Sequence, residues 1–115
     1  MASSTEFLSG QLQAFREAWQ EASDHSLDCG ELENWLRISL ASFRALQEID
    51  CSWSEAVERG QRRWTEVDAR MLLDLYESWL RPRDSILVAL KAAHKKGCPV
   101  QGAQQFREAC TEVRS

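Results

Sequence analysis

The feature that most constrains this chain is an apolar stripe that recurs at the helical period. Leu8, Leu12, Phe15, Trp19 and Ala22 follow one another at steps of four, three, four and three residues. That spacing puts them on one face of an α-helix. The pattern predicts a helix over residues 4–24, opened by Ser4-Thr5-Glu6. A second helix is expected over 29–48, with Asp28 as its N-cap and Glu31 three positions on. Its apolar face is Leu32, Trp35, Leu36, Leu40, Phe43 and Leu46.

Ile49 to Ser52 reads as a break, after which a short helix covers 53–59 and stops at Gly60. Thr65 then caps a helix that ends before Pro82, with Val67, Met71, Leu72, Leu75, Tyr76, Trp79 and Leu80 as its apolar side. Another helix begins at Asp84 or Ser85 and is stopped by Gly97. The last runs from Gln101 to Val113. No segment alternates at period two, as a half-buried strand would. The expected fold is therefore all-α: a compact bundle of about five helices plus one short helix, with mostly antiparallel neighbours.

At 115 residues the chain is sized for a single domain spanning 1–115. Only five glycines and two prolines interrupt it, which suits long helices. No apolar run is long enough to span a bilayer, so no membrane partner is expected. The N-terminal residues carry neither a basic leader nor a continuous apolar stretch, and a secretory signal is not expected. On that basis the four cysteines read as reduced thiols, mostly small buried hydrophobes, and the compartment as the cytoplasm.

Charge is unevenly divided. Residues 1–58 carry a net −8 and residues 59–115 a net +4. The two halves can face each other within one bundle, or pair acidic surface to basic surface between two copies in a homodimer. Alternatively, each half meets its own partner.

Chemistry is sparse. No nucleophile motif, phosphate loop or dinucleotide fingerprint is present, so neither catalytic residues nor a cofactor are expected. One repeated interval raises a metal alternative: His25-x-x-x-Cys29 and His94-x-x-x-Cys98 would supply four zinc ligands if folded together. A small zinc-assisted enzyme around His25 and His94 follows from that idea. The pairs lack the tight C-x-x-C knuckle typical of structural zinc sites, so no metal is the primary expectation.

Nucleic acid is a second alternative. Residues 86–113 have the helix, glycine turn, helix outline of a DNA-binding regulator, with Gln101, Gln104, Gln105 and Arg107 on the would-be recognition helix. Glu108 and Glu112 on the same helix oppose it.

The primary expectation is a non-catalytic intracellular interaction module that binds a protein: an adaptor, a regulatory subunit or an antitoxin-like inhibitor. Tryptophan and arginine are enriched at interface hot spots. Trp53, Arg59, Arg62, Arg63 and Trp64 cluster in sequence, and Arg81 and Arg83 extend them as a basic edge. These seven residues are the candidate partner-binding site.

Overall fold

The computed structural model describes residues 4–114, with Arg114 placed by its backbone alone. Five helices account for most of them: α1 Ser4–Ser23, α2 Cys29–Glu58, α3 Glu66–Leu80, α4 Arg83–Lys95 and α5 Ala103–Arg114. No strand occurs among the described residues, so the chain is all-α.

The caps and stops follow from local chemistry. Asp28 accepts a 2.8 Å hydrogen bond from the backbone N–H of Glu31, and Thr65 accepts one from Asp68, each closing a free N-terminal donor. Gly60 and Gly97 take positive φ values of 73° and 75°. Behind each, an N–H reaches back five residues, from Gln61 to Ala56 and from Cys98 to Ala93. This left-handed ending is open to glycine at little steric cost. Pro82 separates α3 from α4 as its missing N–H requires.

The break expected at 49–52 does not form. Residues 29–58 are one continuous helix, and the short helix over 53–59 is its last two turns. Nothing in that stretch is Gly or Pro, and Ile49 and Trp53 continue the packing face. Asp50, which looked like a stop, is used instead to accept a 2.9 Å hydrogen bond from the Tyr76 hydroxyl.

Side-chain contacts give the helix directions. Phe15 and Trp19 of α1 both meet Trp35 edge-on, at 5.3 and 5.5 Å between centroids, whereas Phe7 and Leu8 lie beside Ile49 and Trp53. Helices α1 and α2 are therefore antiparallel. Tyr76 reaches Asp50 and Trp79 reaches Ser39, so α3 is antiparallel to α2 and parallel to α1.

Helix α5 also departs from the antiparallel expectation. Gly102 sits against Leu36 and Leu40, while Glu112 accepts from Gln47. It therefore runs parallel to α2, with Phe106 packed 5.6 Å from Trp79. Helix α4 closes one end of the bundle, where Ser85 Oγ accepts from Trp19 Nε1 at 2.9 Å.

The core is a continuous cluster that includes Leu12, Trp19, Leu36, Phe43, Leu46, Leu75, Trp79, Ile86, Leu90 and Phe106. The molecule is elongated, 52 × 26 × 18 Å. Its radius of gyration is 15.8 Å, against about 13 Å for a compact chain of this length. The 30-residue α2 is the reason: it is the spine to which every other helix attaches.

Candidate functional site

The Trp/Arg segment folds onto itself. Arg62 Cζ lies 4.0 Å above the Trp53 ring, and Trp64 meets Trp53 edge-on at 6.2 Å. The same guanidinium holds Asp68 at 2.8 Å. Burial alone would raise the Asp68 carboxyl, but hydrogen bonds with Thr65 and Arg62 and the Arg62 charge outweigh it and hold the group below the usual range. Arg62 is thus an internal latch across the turn between α2 and α3. Trp53 is half-buried, and Trp64 is 41% exposed, so part of the indole pair still faces solvent. Arg59 and Arg63 are exposed on the same turn.

The basic edge expected to run on to Arg83 is divided. Arg81 and Arg83 lie beyond the C-terminus of α3, whose 15 residues put them about 22 Å along the bundle from the latch. Arg83 is itself paired with Asp84 at 3.1 Å. The seven residues expected to form one partner-binding site therefore fall into two groups, at opposite ends of α3.

The cysteines correct another expectation. Cys29 and Cys98 are paired as a disulfide, with Cα atoms 6.3 Å apart and 69 residues between them in sequence. They are neither reduced thiols nor thiolate ligands. His25 and His94 stay exposed. No group of three or more His, Cys, Asp or Glu gathers at metal-binding distance among the described residues. The matching intervals marked a real meeting of two chain segments, but the meeting is covalent. Cys110 is buried, as expected of a small hydrophobe, and Cys51 is exposed. The charge of Glu55 and partial burial push the Cys51 thiol above its ordinary value, which makes it a poor nucleophile near neutral pH.

The proposed recognition helix is α5. Its Phe106, Ala109 and Cys110 are buried, and Gln104, Gln105 and Arg107 are exposed. Gln104 donates to Glu108, and Gln101 N–H donates to Glu33. Acids interrupt the exposed face at Glu108 and Glu112.

An exposed apolar feature lies elsewhere, on the outer side of α1 and α2. Two grooves of about 620 and 570 Å³ share Gln11 and Ala45 and so form one channel along the hairpin. Ala14 and Ala18 of α1 and Ala41 and Ala45 of α2 make its floor, and Phe7 and Ile38 stand out from it, 65% and 44% exposed. Among the described residues, Glu48 is the single ionisable one lining it. Trp53 closes its far end, which joins the channel to the indole pair. Sequence reading missed this face because alanines at i and i+4 beside a strong Leu/Trp stripe look like filler. The signal was a second small-residue stripe, 14/18 and 41/45, offset from the core stripe.

No helix among the described residues is long and apolar enough to cross a membrane. Comparison with protein-family models, with curated proteins and with solved structures finds no match.

Proposed function

We propose that this chain is a non-catalytic protein-interaction module, of the adaptor, regulatory-subunit or antitoxin-like inhibitor kind. Its docking surface is the α1/α2 face that ends at Trp53. The observation that carries this reading is the channel itself: contiguous, apolar, open to solvent and lined, among the described residues, by one ionisable side chain. Large exposed apolar patches on folded domains mark interaction surfaces. The alanine floor lets a partner backbone come close, and Phe7 and Ile38 supply protruding anchors. A helical partner suits such a floor, because ridges of one helix pair fit the groove of another. Trp53 and Trp64 remain part of the surface, as its far rim, while Arg62 serves the fold.

Replacing Ile38 with a photo-crosslinking phenylalanine analogue in living cells tests this reading. A protein adduct should form from position 38 and not from Lys91, an exposed residue on another face. Equal or absent crosslinking at the two positions would overturn the assignment.

A further inference from the structure

We infer that the Cys29–Cys98 bridge is a thiol-exchange site, and that opening it releases the turn between α4 and α5.

The bridge joins the ends of elements and lies outside the core. Cys29 is the first residue of α2, and Cys98 follows Gly97, which ends α4. Neither belongs to the core cluster, whereas the free Cys110 does. Both bridge cysteines are half-buried. Both line a cavity of about 980 Å³ between the α1–α2 turn and α4. It opens to solvent at the end of the α1/α2 hairpin remote from Trp53. A space of that size admits a small peptide thiol. Bridges exposed to attack in the folded state are the labile, regulatory ones, whereas structural bridges resist reduction.

The exchange requires one kind of co-reactant, a low-molecular-weight thiol. Its thiolate attacks one bridge sulfur and the S–S bond breaks. A mixed disulfide forms, and the other cysteine leaves as a thiolate that takes a proton from water. A second thiol then attacks the mixed disulfide. The products are two cysteine thiols and one small-molecule disulfide, so the chain gains two electrons and two protons and the two small thiols lose them.

Opening the bridge leaves little to hold the turn. Among the described residues, one hydrogen bond joins residues 96–102 to α2, from the Gln101 N–H to Glu33 at 3.0 Å, and it is exposed. Val100 packs on the core from the same turn. Further along, Phe106, Ala109 and Cys110 of α5 are buried, so the release ends there. The turn and the first residues of α5 loosen while the helix stays docked. Segments at element ends with few buried contacts are the ones that open locally.

Reduced glutathione added to the folded, full-length Cys51→Ser chain, which lacks the other exposed thiol, tests both parts. Bridge opening, read by alkylation and mass spectrometry, should be first-order in glutathione and unchanged by urea below the unfolding transition. A rate that saturates with glutathione and climbs with urea would mean that the bridge opens only through unfolding, and overturns the site. In the reduced protein the amides of Ala103 and Phe106, bonded to Val100 and Gly102 of the turn, should exchange hydrogen faster. The expected acceleration is about tenfold or more. The Ile86 amide, bonded to Pro82 at the far end of α4, should keep its rate. Oxidised glutathione should restore the slow rates. Equal acceleration at all three amides would show that the bridge acts through the unfolded chain alone, and unchanged rates would show that other contacts hold the turn. Either result overturns the release.

Discussion

The indole Nε1 of Trp79 donates a 2.9 Å hydrogen bond to the backbone carbonyl of Ser39, in the buried seam between α3 and α2. The same ring packs 4.6 Å from Phe43 and 5.6 Å from Phe106, so one side chain ties three helices. Buried indoles need a partner for their N–H, and this carbonyl provides one. Trp79→Phe keeps most of the apolar contact and loses the donor, which should cost about 1–2 kcal/mol. Trp79→Ala adds a cavity and should cost about 3–5 kcal/mol. Urea unfolding of both variants checks the order; a Trp79→Phe protein as stable as the parent would show that the hydrogen bond contributes nothing.

Arg62 and Arg63 are adjacent and chemically alike, yet the structure gives them different work. Arg62 is half-buried between the Trp53 ring and Asp68, whereas Arg63 is exposed. Arg62→Ala removes a stacking contact and a partly solvated ion pair and should cost about 1 kcal/mol. Arg63→Ala should change stability by less than about 0.5 kcal/mol. Thermal melts of the two variants, read by tryptophan fluorescence, separate the roles. Equal losses would mean that the latch is not formed in solution.

Much of this architecture is legible in the residues. The caps at Asp28 and Thr65, the glycine stops at 60 and 97 and the stripe through Leu8, Leu12 and Trp19 all follow from interactions within a few residues of each other. The failures are of another kind. Ser52 and Glu55 resemble a helix start, but capping chemistry does not break a helix that has no Gly or Pro and whose next turn finds packing partners. Val67 and Met71 share a stripe with Leu75, yet remain 68% and 37% exposed, because α1 and α2 cover only the arc through Leu72, Leu75 and Trp79. Which part of a wide stripe is buried depends on neighbours that the stripe does not name. The candidate site is divided for the same reason. Arg81 and Arg83 lie near Arg62 in sequence and a helix length away in space, whereas the α1/α2 face exists only once two helices pair.

The disulfide between Cys29 and Cys98 ties the start of α2 to the turn after α4. Closing a loop of about 70 residues lowers the entropy of the unfolded chain by an amount worth about 4 kcal/mol at room temperature, before any native-state cost. Cys98→Ser should therefore destabilise the protein by about 2–4 kcal/mol. Cys51→Ser, at an exposed thiol outside the bridge, should have little effect. Adding dithiothreitol should lower the melting temperature of the parent and leave that of Cys98→Ser unchanged. If the reductant moves neither, the bridge is absent from the folded protein.

Tyr76 is the only tyrosine in the chain, so its ionisation is read directly from phenolate absorbance. Burial pushes its hydroxyl well above the ordinary tyrosine value, and the hydrogen bond donated to Asp50 and the charges of Asp50 and Glu112 add to the shift. The sign for stability follows. Above about pH 10 the phenol of the unfolded chain gives up its proton, while the folded chain retains it. The contribution of this group to stability is thus complete below that pH and is lost as pH rises beyond it. Absorbance at the phenolate band should therefore stay low past pH 10 and rise together with loss of helical circular dichroism. Asp50→Asn removes the charged acceptor and should bring the midpoint down toward the ordinary value while the helices remain intact. A midpoint near pH 10 in the folded parent would mean that Tyr76 does not hold Asp50 in solution.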